Sequence, residues 1–179
     1  MIGRNADQYK DGIFVWFIGE VKEIDDPKNL NRVRVLAYGF YDGVKNKGTS
    51  TNPDWSDLPW ATVMMPTTSA SIKGVGGNHH LEIGSWVVGF FRDGPSAQDP
   101  IIMGSIATQT PTGEVDDDDN PIYDKDVPSN SSVDNKVYES KAGHRIELDN
   151  TEGKEKIIIK HGKTGAFMEF NENNKIRIV

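Results

Sequence analysis

Between residues 137 and 179, short apolar runs recur roughly every ten residues, separated by Gly, Asn and Lys, a rhythm that suits a β-meander. The runs are His144-Arg145-Ile146-Glu147-Leu148, Lys156-Ile157-Ile158-Ile159-Lys160, Ala166-Phe167-Met168-Glu169-Phe170 and Lys175-Ile176-Arg177-Ile178-Val179. Side chains alternate along a strand, so Ile146 and Leu148 share one face while Arg145 and Glu147 take the other. Likewise Ile157 and Ile159 face one way, and Lys156, Ile158 and Lys160 the other. So small a meander cannot bury its apolar face alone, and identical neighbours are the simplest cover. The pattern predicts an intertwined β-prism of several copies, with Ile146, Leu148, Ile157 and Ile159 in its core.

At 179 residues the chain has room for one domain with an appendage, or for two small domains. It contains no Cys, which excludes a disulfide scaffold and any thiolate metal site. A net charge of -7 and a pI near 5.1 argue against binding to a phosphate backbone, which depends on clustered Lys and Arg. No apolar run approaches the length of a membrane span, and the first residues lack the basic-then-apolar form of a signal peptide. Gly is abundant at 18 and helical signals are nearly absent, so the expected class is all-β.

Residues 13–106 read as strands separated by turn signals. Val15, Phe17, Gly19 and Val21 alternate through the first, Asp25-Asp26-Pro27 forms a turn, and Arg32-Val33-Arg34-Val35 alternates again with its valines inward. A polar loop spans residues 41–57, a third strand runs over 60–65 to Pro66, and a Gly-rich stretch follows. Residues 85–92 and 101–106 complete five strands, the number and spacing of a small Greek-key barrel of the OB type. Residues 108–136 are different: Asp116 to Asp119, Pro111, Pro121, Pro128 and Ser129-Asn130-Ser131-Ser132 read as a solvated acidic linker. The expected division is therefore 1–107 barrel, 108–136 linker and 137–179 prism strands.

Trp16-Phe17-Ile18-Gly19-Glu20-Val21, then Asp26-Pro27 and Arg32-Val33-Arg34-Val35, resembles the opening of the barrel in the central, cell-puncturing spike proteins of T-even-like phage baseplates. Leu58-Pro59-Trp60 with Val63 and Pro66, Thr68-Ser69-Ala70 and Gly74-Val75-Gly76-Gly77 continue the resemblance in the same order. Ile83-Gly84-Ser85-Trp86-Val87-Val88-Gly89-Phe90-Phe91 and Pro100-Ile101-Ile102-Met103-Gly104 complete it. Ala142-Gly143-His144-Arg145-Ile146-Glu147-Leu148-Asp149-Asn150-Thr151-Glu152-Gly153 resembles the start of the triple-stranded β-helix of those spikes, which VgrG proteins of type VI secretion share. Two blocks in the right order, over most of the chain, make the match specific.

Two departures stand out. Asn31 occupies a position where the family usually has Gly; Asn tolerates positive φ next best, so the turn is expected to survive. Where the T-even spike carries an inserted lysozyme domain, this chain has only the acidic segment of about thirty residues, far short of a domain able to bury a core. No hub portion like the one fused ahead of the barrel in VgrG stands before residue 13 of the sequence as given, so the phage-like split arrangement is the expectation.

The resemblance implies an OB-fold barrel followed by the start of an intertwined triple-stranded β-helix. It implies a structural spike or spike base of a contractile tail, without enzymatic activity or cofactor, that transmits force into the host envelope. Implied partners are two further copies in a homotrimer and a baseplate hub protein, with no nucleic acid. Because the chain stops inside an apolar strand, truncation or capping by a separate PAAR-like tip protein is also expected. The implied location is the virion tail baseplate, assembled in the host cytoplasm. Two other classes compete: a tail-associated peptidoglycan-degrading enzyme that has kept its scaffold, and an OB-fold binder of single-stranded nucleic acid.

Candidate sites are sparse. His79-His80 lies in a Gly-rich loop, but adjacent strand residues diverge and no carboxylate or Cys follows at ligand spacing. His144 and His161 fall in the prism strands, where packing or an interchain hydrogen bond is the expected role; three His161 rings around a trimer axis are the alternative. Asp116 to Asp119 lack the Gly and terminal Glu of a calcium loop. No pair of carboxylates is placed for glycoside cleavage, and Ser69, Ser71, His79 and His80 come without a Gly-x-Ser-x-Gly elbow. Trp16, Trp60 and Trp86 are expected in a barrel core or interface, and Trp55 in the polar loop is expected to be exposed.

Overall fold

A computed structural model describes residues 13–41 and 54–179. Residues 1–12, which open the expected barrel domain, and 42–53, most of the expected polar loop, lie outside the described residues. The chain forms two compact units, Met1–Ala107 and Thr108–Val179.

In the first unit, β1 (Val15–Glu23), β2 (Val33–Ala37), β3 (Trp60–Val63), β4 (Trp86–Phe91) and β5 (Pro100–Ile106) close into a barrel in the order β1-β2-β3-β5-β4. Every pairing is antiparallel except β3 with β5. The expected alternation holds: Phe17, Val21, Val33, Val35, Val87 and Ile102 fill the interior, each 3% exposed or less. Closure leaves these five strands without an open edge.

Two glycines mark where the backbone packs too closely for a side chain. A Cβ at Gly89 would fall against the Ile101 carbonyl and 2.6 Å from Cζ of Phe17, and one at Gly19 would lie 2.6 Å from both the Leu36 carbonyl and Val35 Cγ1.

Asp26 holds the β1–β2 turn. Its carboxylate accepts the N–H groups of Lys28 (3.0 Å), Leu30 (2.9 Å) and Arg32 (3.3 Å), and pairs with the Arg32 guanidinium at 2.6 Å through Nη2 and 3.0 Å through Nε. Asn31, in the same turn, takes the expected positive φ of 61°. The Arg32 hydrogen bonds outweigh burial and, with the turn N–H groups, hold Asp26 far below the usual carboxylate range. A carboxylate with a depressed folded value contributes stability that is complete above the unfolded value, about 3.9, and is lost as pH falls through the folded one. Asp26→Asn is therefore expected to cost on the order of 3 kcal/mol at pH 7, by leaving Arg32 without its partner. Urea unfolding followed at pH 7 and again at pH 2 checks this, because the gap between variant and parent must shrink on acidification.

Residues 108–136 hold more regular structure than a solvated tether. The strands β6 (Gln109–Val115) and β7 (Pro121–Lys125) form a two-stranded antiparallel ribbon. Its turn is built by Asp116, whose Oδ1 accepts the N–H groups of Asp118 (3.0 Å) and Asn120 (2.9 Å). The low hydropathy that reads as a solvated linker goes with a turn held by local side-chain-to-backbone bonds, which need no buried core.

A five-stranded antiparallel sheet follows: β8 (Asn135–Glu139), β9 (Arg145–Asp149), β10 (Lys156–Lys160), β11 (Phe167–Asn171) and β12 (Ile176–Ile178), each paired with the next in sequence. His144 and His161 correct the expectation, since both lie just outside the strands, in the β8–β9 and β10–β11 turns. Their rings meet edge to face with centroids 4.4 Å apart. The turns touch so closely that a Cβ on Gly162 would stand 2.8 Å from Cα of Gly143.

Candidate functional site

Strand register sorts the side chains of the second sheet into two unlike faces. Across one face run two rows, each crossing all five strands. The first is Tyr138, Ile146, Ile159, Met168 and Ile178; the second is Lys136, Leu148, Ile157, Phe170 and Ile176. Nine of these ten residues are large and apolar, and all nine are exposed, Ile159 by 51% and Ile178 by 71%. The four residues assigned to a prism core thus lie side by side, with Ile159 opposite Ile146 and Ile157 opposite Leu148. Tyr138, Met168, Phe170, Ile176 and Ile178 widen that set. The same alternation of side chains along each strand could have found them.

The opposite face is charged and better covered. Glu147 is 6% exposed and accepts from Arg145 Nη1 at 2.7 Å and from Asn135 Nδ2 at 3.2 Å. Glu139 pairs with Arg145 Nη2 at 3.1 Å and accepts from Ser129 Oγ at 3.0 Å. Burial pushes Glu139 upward, but the Ser129 and Arg145 bonds prevail and hold it below its ordinary value. In a one-sided antiparallel sheet the apolar side is normally the covered one. Here the ion-paired side is the better covered of the two and the apolar side is open, the pattern of a surface that meets a partner.

The barrel has an apolar strip of its own. Trp16, Phe90 and Ile101 are direct neighbours on the outside of β1, β4 and β5, with Trp16 58% exposed. Phe14 stacks near Phe90 at 5.5 Å, and Tyr38 near Trp86 at 5.5 Å. Trp16 and Trp86 therefore face outward, in surface positions rather than in the core. Trp55, expected to be exposed, is half-buried against the barrel core with Lys22 5.3 Å above its ring.

The remaining candidates do not converge. His79 and His80 are both exposed, and His80 Nε2 lies 3.2 Å from the Asn78 side-chain amide. His80 lines a shallow polar cleft of about 520 Å³ with Asn29, Asn31 and Asn78. Ser69 Oγ accepts the Gly77 N–H at 3.1 Å and lies 3.4 Å from the Ser71 hydroxyl. Among the described residues no three His, Asp or Glu side chains gather in a metal-binding arrangement.

A closed five-strand barrel joined to an open-faced antiparallel sheet defines an OB-fold protein with a surface suited to assembly. The chain belongs to the family described as the Gp5 N-terminal OB domain, whose pattern matches residues 39–174, from just after β2 to just after β11. It is 37% identical over 79 residues to the pre-baseplate central spike protein Gp5 of Enterobacteria phage T4, covering 44% of this chain and 14% of that protein. With protein Gp5 of Vibrio phage KVP40 the identity is 32% over 108 residues, 57% of this chain and 25% of that one. The matches thus span a quarter or less of these relatives.

Proposed function

We propose that the chain is a structural part of a central spike in a phage tail baseplate, assembled by three copies that close their apolar sheet faces around a common axis. The observation that carries this reading is the double row of nine exposed apolar side chains on one face of the sheet. Family membership and the name of the T4 relative, a pre-baseplate central spike protein, support it. In this reading the sheet is the first part of a triple-stranded β-helix and 137–179 is the spike segment. The barrel in 1–107 docks on a baseplate hub, with the aromatic strip around Trp16 as the surface suited to that contact.

Co-purification of the full chain with the hub of the same tail tests the docking half. Trp16→Ser is expected to weaken retention at least tenfold, because a large aromatic at an interface centre commonly carries much of the binding. Unchanged retention would move the docking surface elsewhere. Capping of the spike by a PAAR-like tip protein, and force transmission into the host envelope, belong to the same proposal.

The reading is also non-enzymatic. The segment between barrel and sheet holds a small ribbon rather than an inserted domain, which supports this reading. Purified protein mixed with peptidoglycan is expected to release no soluble fragments above a buffer control. Turnover abolished by changing one carboxylate would establish the enzyme reading instead.

A further inference from the structure

Two turns at one end of the second sheet meet through their histidines. One register step beyond the Lys160–Arg145 pair, His161 and His144 lie with ring centroids 4.4 Å apart. Each ring also accepts a backbone N–H through Nδ1. The N–H of Gly162 donates to His144 at 3.3 Å, and that of Thr164 donates to His161 at 3.1 Å. A backbone N–H is always a donor, so each Nδ1 must be bare, and each neutral ring carries its proton on Nε2. The Thr164 hydroxyl adds a contact to the same His161 nitrogen at 2.9 Å. A metal held through Nε2 needs the ring proton on Nδ1, where these N–H groups already point, so the two rings are not arranged as a metal pair.

We infer that His144 and His161 form an acid-released latch, which closes the β8–β9 turn on the β10–β11 turn while both rings are neutral and frees the turns when the rings take up protons. Histidine is the side chain whose charge changes between pH 8 and pH 5. Protonation puts a hydrogen on Nδ1, facing the N–H groups of Gly162 and Thr164, and both amides lose their acceptor. It also sets two positive rings side by side. The flanking charges add to that repulsion. Lys141 lies in the first turn and Lys163 in the second, while Arg145 and Lys160 stand at the adjoining strand ends. Arg177 of β12 reaches over the Phe167 ring at 5.1 Å, a further cation on the far side of β11. The carboxylates nearest in the register, Glu139 and Glu147, are both bound to Arg145. The latch therefore contributes stability at neutral pH and loses it as the pH falls and the rings gain protons. It is internal to one chain and does not depend on the number of copies in an assembly.

Solution NMR on the full chain tests this. The ring-nitrogen shifts at pH 8 are expected to show both imidazoles with their proton on Nε2. Between pH 8 and pH 5, the exchange protection of the Gly162 and Thr164 amides, corrected for the intrinsic effect of pH, is expected to fall about threefold or more, with the Val35 amide of the barrel as reference. In a variant carrying both His144→Asn and His161→Asn, Oδ1 offers an acceptor near the place of Nδ1 but does not titrate, so protection at pH 5 is expected to match that at pH 8. Rings protonated on Nδ1 at pH 8, undiminished protection in the parent at pH 5, or an equal loss in the double variant would each overturn the inference. If the double variant fails to fold, the ring shifts and the pH response of the parent decide alone. Light scattering at both pH values separates this result from the assembly reading: a mass other than that of three copies counts against the assembly, whereas the ring nitrogens and the two amides report the latch in any state of association.

Discussion

Light scattering on the folded chain is expected to return the mass of three copies, and Ile159→Asp to reduce it to one or to unfold the second unit. Ile159 sits mid-row between Ile146 and Met168, which flank it on both sides, and in the proposed assembly partner copies would close the remaining side. A carboxylate there would be desolvated without a counter-charge, at a cost of several kcal/mol per copy. Three such carboxylates near one axis would also repel. Lys160→Asp is the matched control, because Lys160 lies on the opposite face across from Arg145 and is exposed. It is expected to leave the mass unchanged. A parent chain that remains monomeric when fully folded, or an Ile159→Asp variant that assembles normally, would show that the apolar rows are not the assembly surface.

The second large effect is expected in the barrel. Gly89→Ala places a methyl group against the Ile101 carbonyl and 2.6 Å from the Phe17 ring, and neither neighbour can yield easily. The carbonyl belongs to the adjacent strand, while Phe17 is 2% exposed at the centre of the core and packs on Phe91 with ring centroids 4.8 Å apart. The expected cost is on the order of 3 kcal/mol or more, a large share of the 5–15 kcal/mol that holds a typical domain. Gly104→Ala, in the paired strand β5, adds a methyl with no neighbour within 4 Å and should change stability by about 0.5 kcal/mol at most. Tryptophan fluorescence during urea unfolding reports both, and similar midpoints for the two variants would contradict the close approach at Gly89.

Much of the barrel was legible in the linear chain because its strands are short and one face of each is buried. Val33 and Val35 alternate with Arg34, and Phe17 and Val21 flank Gly19 at even spacing, so the period of two shows without knowledge of strand order. Asn31 could be read as a tolerated left-handed position because its neighbours already signalled a turn, and the structure gives it a φ of 61°. The ribbon was not legible, because the four apolar residues of its one side are spread over two strands and two of them are prolines. Only the pairing of Pro111 with Tyr123 and of Val115 with Pro121 gathers them on one side. Trp16 and Trp86 illustrate a related gap: strand residence alone cannot tell the inside of a barrel from the outside.

The sequence alone determined the all-β class, the five barrel strands and the two-faced character of the last segment, because each follows from local alternation and turn chemistry. It also carried the family, which the match over 39–174 bears out, through blocks of which those from Leu58 onward fall within that match. Tertiary structure decided which of those faces stay uncovered. Register aligned nine apolar side chains into two continuous rows, folded His144 against His161, and enclosed Glu147 among Arg145 and Asn135 on the reverse side. These outcomes depend on which strands pair and at what offset. A shift of one residue would have exchanged the apolar face for the charged one, and no local pattern records that choice.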